Sequence, residues 1–172
     1  MRSMLQVLSS ILALYLVIAP QAEAATLIPK GTLVRLRLEQ TLSTKTNKTG
    51  EMVKLTAVEA IKLGKTTVIK KGALAQAQLE KVRGPGRFGR NGSIKIRYLF
   101  VTSARGKQIP IVLGERSIKA NQSMGLAAGA SAAGYIILGP IGVVGGAFVK
   151  GRHIDIPAGT ELMVEVENDF VY

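Results

Sequence analysis

The stretch at 28–39, IPKGTLVRLRLE, decides how the chain is built. Its first five residues read as a tight turn, with Pro29 presetting φ and Gly31 free to take a positive one. Residues 33–39 then alternate, with Val34, Leu36 and Leu38 on one face and Arg35, Arg37 and Glu39 on the other. A period of two with one polar face predicts a half-buried antiparallel strand. The unit returns at 69–80, IKKGALAQAQLE, and at 156–167, IPAGTELMVEVE. In the last copy Leu162, Val164 and Val166 oppose Glu161, Glu165 and Glu167.

Other strands extend the pattern. At 93–101, SIKIRYLFV, alternation groups Ile94, Ile96, Tyr98 and Phe100 against Lys95 and Arg97. Residues 104–107 then read as a turn and 109–113 as the returning strand, with Pro110 predicting a sheet edge because it cannot donate to a ladder. At 51–63, Val53, Leu55 and Ala57 alternate before the pattern breaks, which leaves a short helix open beside a strand. Turn signals about every 10 to 15 residues predict a mainly β fold, a small antiparallel barrel or sandwich. The stretch at 83–92, RGPGRFGRNG, reads as a long hairpin tip. Arg83, Arg87 and Arg90, around Phe88, are candidate contacts for phosphate or carboxylate groups. The plainer alternative is a solvated hairpin.

Residues 124–149, MGLAAGASAAGYIILGPIGVVGGAFV, are of another kind: 26 positions without a charge. Gly125, Gly129 and Ala133 fall four apart, as do Gly142 and Gly146. On a helix this spacing stacks small residues on one face and lets backbones touch. Gly139-Pro140 divides the run, because proline breaks the helical ladder. The run thus predicts a Gly/Ala-rich helical insert before the last strand. It is either one kinked helix about 39 Å long, enough to cross a bilayer, or a hairpin of two short arms. The insert contacts a membrane or packs as a soluble hairpin on the β-body. Asn47, Asn91 and Asn121 each begin an N-x-S/T triplet, and these three read as turns.

The N-terminus has the form of an export signal, with Arg2, an apolar run over 5–18, Pro20, and Ala22-Glu23-Ala24 as a small-x-small cleavage pattern. The expected organisation is a signal peptide at 1–24, a β-rich body at 25–122, the insert at 123–150 and a returning strand at 151–172.

The chain of 172 residues carries a net charge of +12 and no cysteine, which excludes disulfides and thiolate chemistry. Residues 25–122 hold 20 Lys and Arg against 5 acidic residues, so a polyanionic partner such as a phospholipid surface fits the body. With no Trp, four Phe and four Tyr, the composition argues against stacking platforms for single-stranded nucleic acid, although the charge alone would fit it. His153, with Asp155 two positions on, is the sole histidine and lacks a nucleophile motif. No metal-ligand spacing, phosphate loop or dinucleotide fingerprint occurs. The reading is a non-enzymatic protein with no catalytic, cofactor-binding or metal-ligating residues.

With 28–44, IPKGTLVRLRLEQTLST, 68–82, VIKKGALAQAQLEKV, and the strand SIKIRYLF, the chain resembles the TrbI-like β-domain of conjugation and type IV secretion scaffolds. The resemblance covers residues 28–114. It implies a barrel-like body and a helical excursion that enters the outer membrane as part of an oligomeric ring. In this chain a signal-like segment directly precedes the β-domain, so the fold carries over better than the transport role. The expectation is an exported protein of a bacterial periplasm or outer membrane. Its partners would be a membrane (the outer membrane or its inner face), further copies of itself, or anionic envelope polymers.

Overall fold

The repeated turn is the device from which the fold grows. The computed structural model describes residues 27–87, 90–123 and 152–172, and the backbone at 130–131 and 135–136. Gly31, Gly72 and Gly159 take φ values of 77°, 78° and 85°. Each stands third in a turn closed by a hydrogen bond from the next residue: Thr32 N–H to the Pro29 carbonyl, Ala73 to Lys70 and Thr160 to Pro157. A side chain at such φ meets the left-handed steric penalty, which glycine escapes.

These turns launch three strands of a closed six-stranded antiparallel barrel. The short β1 (Leu27–Ile28) precedes β2 (Leu33–Leu38), and β3 (Leu42–Ser43) precedes β4 (Met52–Ala57). A hairpin of β5 (Ile61–Leu63) and β6 (Thr66–Ile69) leads to β7 (Leu74–Arg83), β8 (Ser93–Thr102) and β9 (Gln108–Val112). A helix, α1 (Glu115–Ser123), comes next. After it come β10 (Ala130–Ser131), β11 (Tyr135–Ile136), β12 (Asp155–Ile156), β13 (Glu161–Val166) and β14 (Phe170–Val171). The barrel order is β13-β2-β4-β7-β8-β9, so its strands run round the wall in chain order and β9 meets β13 to close it. The stretch at 51–63 is therefore two strands. Val53, Leu55 and Ala57 all point inward, and no helix forms there.

The interior is filled by the alternating residues: Val34, Leu36 and Leu38 from β2, and Leu162, Val164 and Val166 from β13. A barrel of six strands is narrow, so large residues face small ones. Ala77 lies directly opposite Tyr98 and leaves room for its ring.

Three expectations are corrected. Phe100 does not join Tyr98 inside: the register slips so that Gln76 faces Phe100 while Ala77 faces Tyr98, leaving Leu99 as an extra residue. A bulge reverses the parity of the strand beyond it, so Val101 is buried and Phe100 half-buried. Pro110 is not on an edge strand, because β9 pairs with both β8 and β13. It lies where the β13 ladder ends, and its carbonyl accepts the Glu167 N–H at 3.1 Å, so one bond of that pair forms without a proline donor. Asn121 is not in a turn; it is a buried residue of α1.

One short helix precedes the final strands, at Glu115–Ser123, in the segment expected to be β-rich and ahead of the apolar run where a Gly/Ala-rich helix was expected. Within the run, β10 and β11 pair with each other (Ala130 with Ile136, Ser131 with Tyr135), and β11 lies against β8. At these four positions the backbone is extended, consistent with the weak helix preference of a glycine-rich run. The signal-like segment at 1–24, Phe88, and the small-residue positions Gly125, Gly129, Ala133, Gly142 and Gly146 lie outside the described residues.

Candidate functional site

The lower end of the barrel, where β2 finishes and β4 begins, gathers the features singled out in the sequence. Helix α1 runs toward this end, opposite to β13. Ser117 in its first turn donates its N–H to the Glu165 carboxylate at 3.1 Å, and Asn121 one turn later bonds Met163. The chain therefore leaves α1 for the apolar run at the lower end. It returns at the same end. The Gly92 N–H donates to the Arg152 carbonyl at 2.9 Å, and the Arg152 N–H to Asn91 Oδ1 at 2.9 Å. Thr44 and Ile154 then exchange two bonds at 3.0 Å, one through the threonine hydroxyl oxygen, and β12 pairs with β3. Both roots of the run are thus tied to the barrel by described contacts.

The same contacts place the arginine hairpin beside the returning chain. Arg83, Arg87 and Arg90 are all exposed. Within the hairpin Gly86 donates to the Arg90 carbonyl at 2.8 Å, and the Arg90 guanidinium lies against Gly86. Lys45, Lys48 and Arg152 are exposed alongside. Among the described residues, none of these six cations has a carboxylate within ion-pair distance. The nearby Glu51 carboxylate is engaged by the Asn47 amide at 2.8 Å and the Lys48 N–H at 3.1 Å. A second bulge makes Glu80 the extra residue of β7, so Lys81 stands directly opposite Lys95. Like charges facing each other across a ladder destabilise it.

His153 is exposed, and its Nδ1 lies 3.1 Å from the Thr44 hydroxyl. That hydroxyl oxygen also accepts the Ile154 N–H, so it serves the main chain.

Two further features lie elsewhere. A cleft of about 440 Å³ near the start of α1 is lined by Lys30, Gly31, Glu115, Arg116 and Glu165. The alternation of the last strand predicts Glu165 on the polar outer face; α1 covers it, and its carboxylate caps the helix N-terminus through Ser117. A Cβ at Gly114 would fall inside that carboxylate, so Gly114 and Glu165 are fitted to each other. Inside the barrel the Tyr98 hydroxyl has no hydrogen-bond partner among the described residues, and burial pushes its pKa upward. Among the described residues no three His, Asp or Glu side chains gather as metal ligands would.

Sequence reasoning singled out the arginines but not Lys45, Lys48 or Arg152 as their neighbours, because loops far apart in sequence meet only through the barrel. Compared with protein-family models and with curated proteins, the chain matches none of them.

Proposed function

We propose that the protein is a non-enzymatic, exported envelope protein whose barrel carries the uncharged run as an excursion. Through the glycine-spaced face of that run it associates with a membrane or with further copies of itself. One observation supports this most: β9 pairs with β13 directly, so the wall closes between the two strands that flank the run. The described residues that flank the run, Asn121 before it and Arg152 after it, are both bonded to the barrel. No helix among the described residues is long and apolar enough to cross a membrane. Membrane contact in this reading therefore rests on residues 124–149, as a span or as an inserted hairpin. The resemblance to TrbI-like β-domains points the same way, toward a structural module of a bacterial periplasm or outer membrane. The exposed cations beside the run favour anionic lipid over a neutral partner as the companion surface.

Fractionation of cells producing the full chain tests the reading. The protein is expected to pellet with membranes and to resist a high-salt wash. Gly129→Leu, next to the extended pair at 130–131, should lower membrane retention or oligomer formation while leaving the thermal melt of the barrel unchanged, since a leucine side chain holds apart surfaces that small residues let approach closely. A soluble wild type that unfolds on Gly129→Leu would instead make the run a buried part of the soluble fold.

A further inference from the structure

We propose that the lower end of the barrel is a docking face for a bilayer containing anionic phospholipid, with its arginines seated on headgroup phosphates. The proposal rests on the membrane reading above and adds to it an orientation and a lipid class. Three segments distant in sequence, near 45, 87 and 152, are joined there by the main-chain bonds of Gly92 to Arg152 and of Thr44 to Ile154. They bring Lys45, Lys48, Arg83, Arg87, Arg90 and Arg152 to one rim, all exposed and without a carboxylate partner among the described residues. The facing pair Lys81 and Lys95 adds positive charge on the wall just above.

The upper end is cationic too, through the exposed Lys62, Lys65, Lys70 and Lys71. Two differences separate the ends. The lower end presents mainly guanidinium groups, whose planar fork grips phosphate with two bonds, where lysine offers a point charge. It is also the end from which 26 uncharged residues leave and to which the chain returns. A surface offering phosphate above hydrocarbon fits that juxtaposition. A soluble polyanion would match the charge alone.

The test is flotation of the full chain with vesicles of phosphatidylcholine alone and of phosphatidylcholine mixed with phosphatidylglycerol, in about 0.1 M salt, where charges are screened beyond about 10 Å. Each basic residue near an anionic surface strengthens binding severalfold, so replacing Arg83, Arg87 and Arg90 together by Gln should weaken binding to the mixed vesicles about 100-fold. The matched variant with Lys62, Lys65 and Lys70 changed to Gln, which loses the same charge from the other end, should change it less than about threefold. All three proteins should bind neutral vesicles alike, and melting curves should confirm that the variants are folded. Equal losses in the two variants would show that binding follows net charge and would overturn the docking face. An unchanged arginine variant, or tighter binding to duplex DNA than to the mixed vesicles, would overturn it as well. Failure of the wild type to float with either vesicle would instead sink the membrane reading, and this proposal with it.

Discussion

The barrel is closed in two different ways. In one half, β2 with β13 and β4 with β7 lock each other by main-chain bonds at both ends. Gly31 donates to the Val166 carbonyl while Val166 donates to Thr32, and at the far end Gly159 and Thr160 do the same with Leu38. In the second pair Gly72 and Ala73 engage Ala57, and Gly50 and Glu51 engage Leu79. The turn at Gly50, with φ of 90°, is a fourth copy of the device that the sequence repeats did not reveal. The seam between β9 and β13 is of another kind. It has two residue pairs, Val112 with Glu165 and Ile111 with Val166, and then β9 departs. Below that point a side chain completes the wall. Asn121 accepts the Met163 N–H at 2.6 Å and donates to its carbonyl at 2.9 Å, taking the place of the missing strand. A wall closed by glycine turns depends on backbone torsion, whereas a wall closed by an amide depends on one residue.

That contrast ranks the expected effects of mutation. Asn121→Ala should be the most damaging, since it leaves two main-chain groups of β13 without partners, at about 1–3 kcal/mol each. We expect a loss of about 2–4 kcal/mol in urea unfolding, with reduced exchange protection of the Met163 amide. A loss under about 1 kcal/mol would mean that apolar packing seals the seam instead. Gly72→Ala should cost about 1–2 kcal/mol, almost all of it torsional, because nothing lies within 4 Å of the added Cβ. Gly159→Ala should match it, and the two should add, being far apart. Strong non-additivity would show that the four turns act as one unit. The smallest effect belongs to Arg37→Ala. Its guanidinium meets Glu161 at 2.7 Å, yet its side chain is 49% exposed, so the pair contributes about 0.5 kcal/mol and less in high salt. A larger loss would show that side chains also hold the half we assign to the main chain.

Legibility followed the same division. The turns at Gly31, Gly72 and Gly159 could be read because a positive φ calls for glycine and because Pro or Lys precedes it in a repeated frame. The turn at Gly50 escaped notice because Lys48-Thr49-Gly50-Glu51 lacks the leading Ile of the other three. Inward-facing residues of β2 and β13 could be read from alternation. Phe100 and Val101 could not, because a bulge is set by the partner strand and not by the strand that carries it. Of the candidate site, Arg83, Arg87 and Arg90 stood out by composition. Lys45 did not, and Arg152 could be read only as a cation following the apolar run, since their proximity to the hairpin arises from bonds across more than fifty residues of sequence.

By itself, then, the sequence determined what depends on neighbouring residues: strands of period two, turns requiring glycine, an excess of cations, and an uncharged run of 26 residues. The tertiary structure alone decided that the strands close into a barrel rather than a sandwich, and that Glu165 is covered by a helix it caps. It also decided that both roots of the run share one end with the arginine hairpin. Local preference acts through φ, ψ and side-chain spacing and is written in consecutive residues. Closure and convergence depend on hydrogen bonds between distant segments, such as Asn121 with Met163, whose partners are chosen only once the wall has formed.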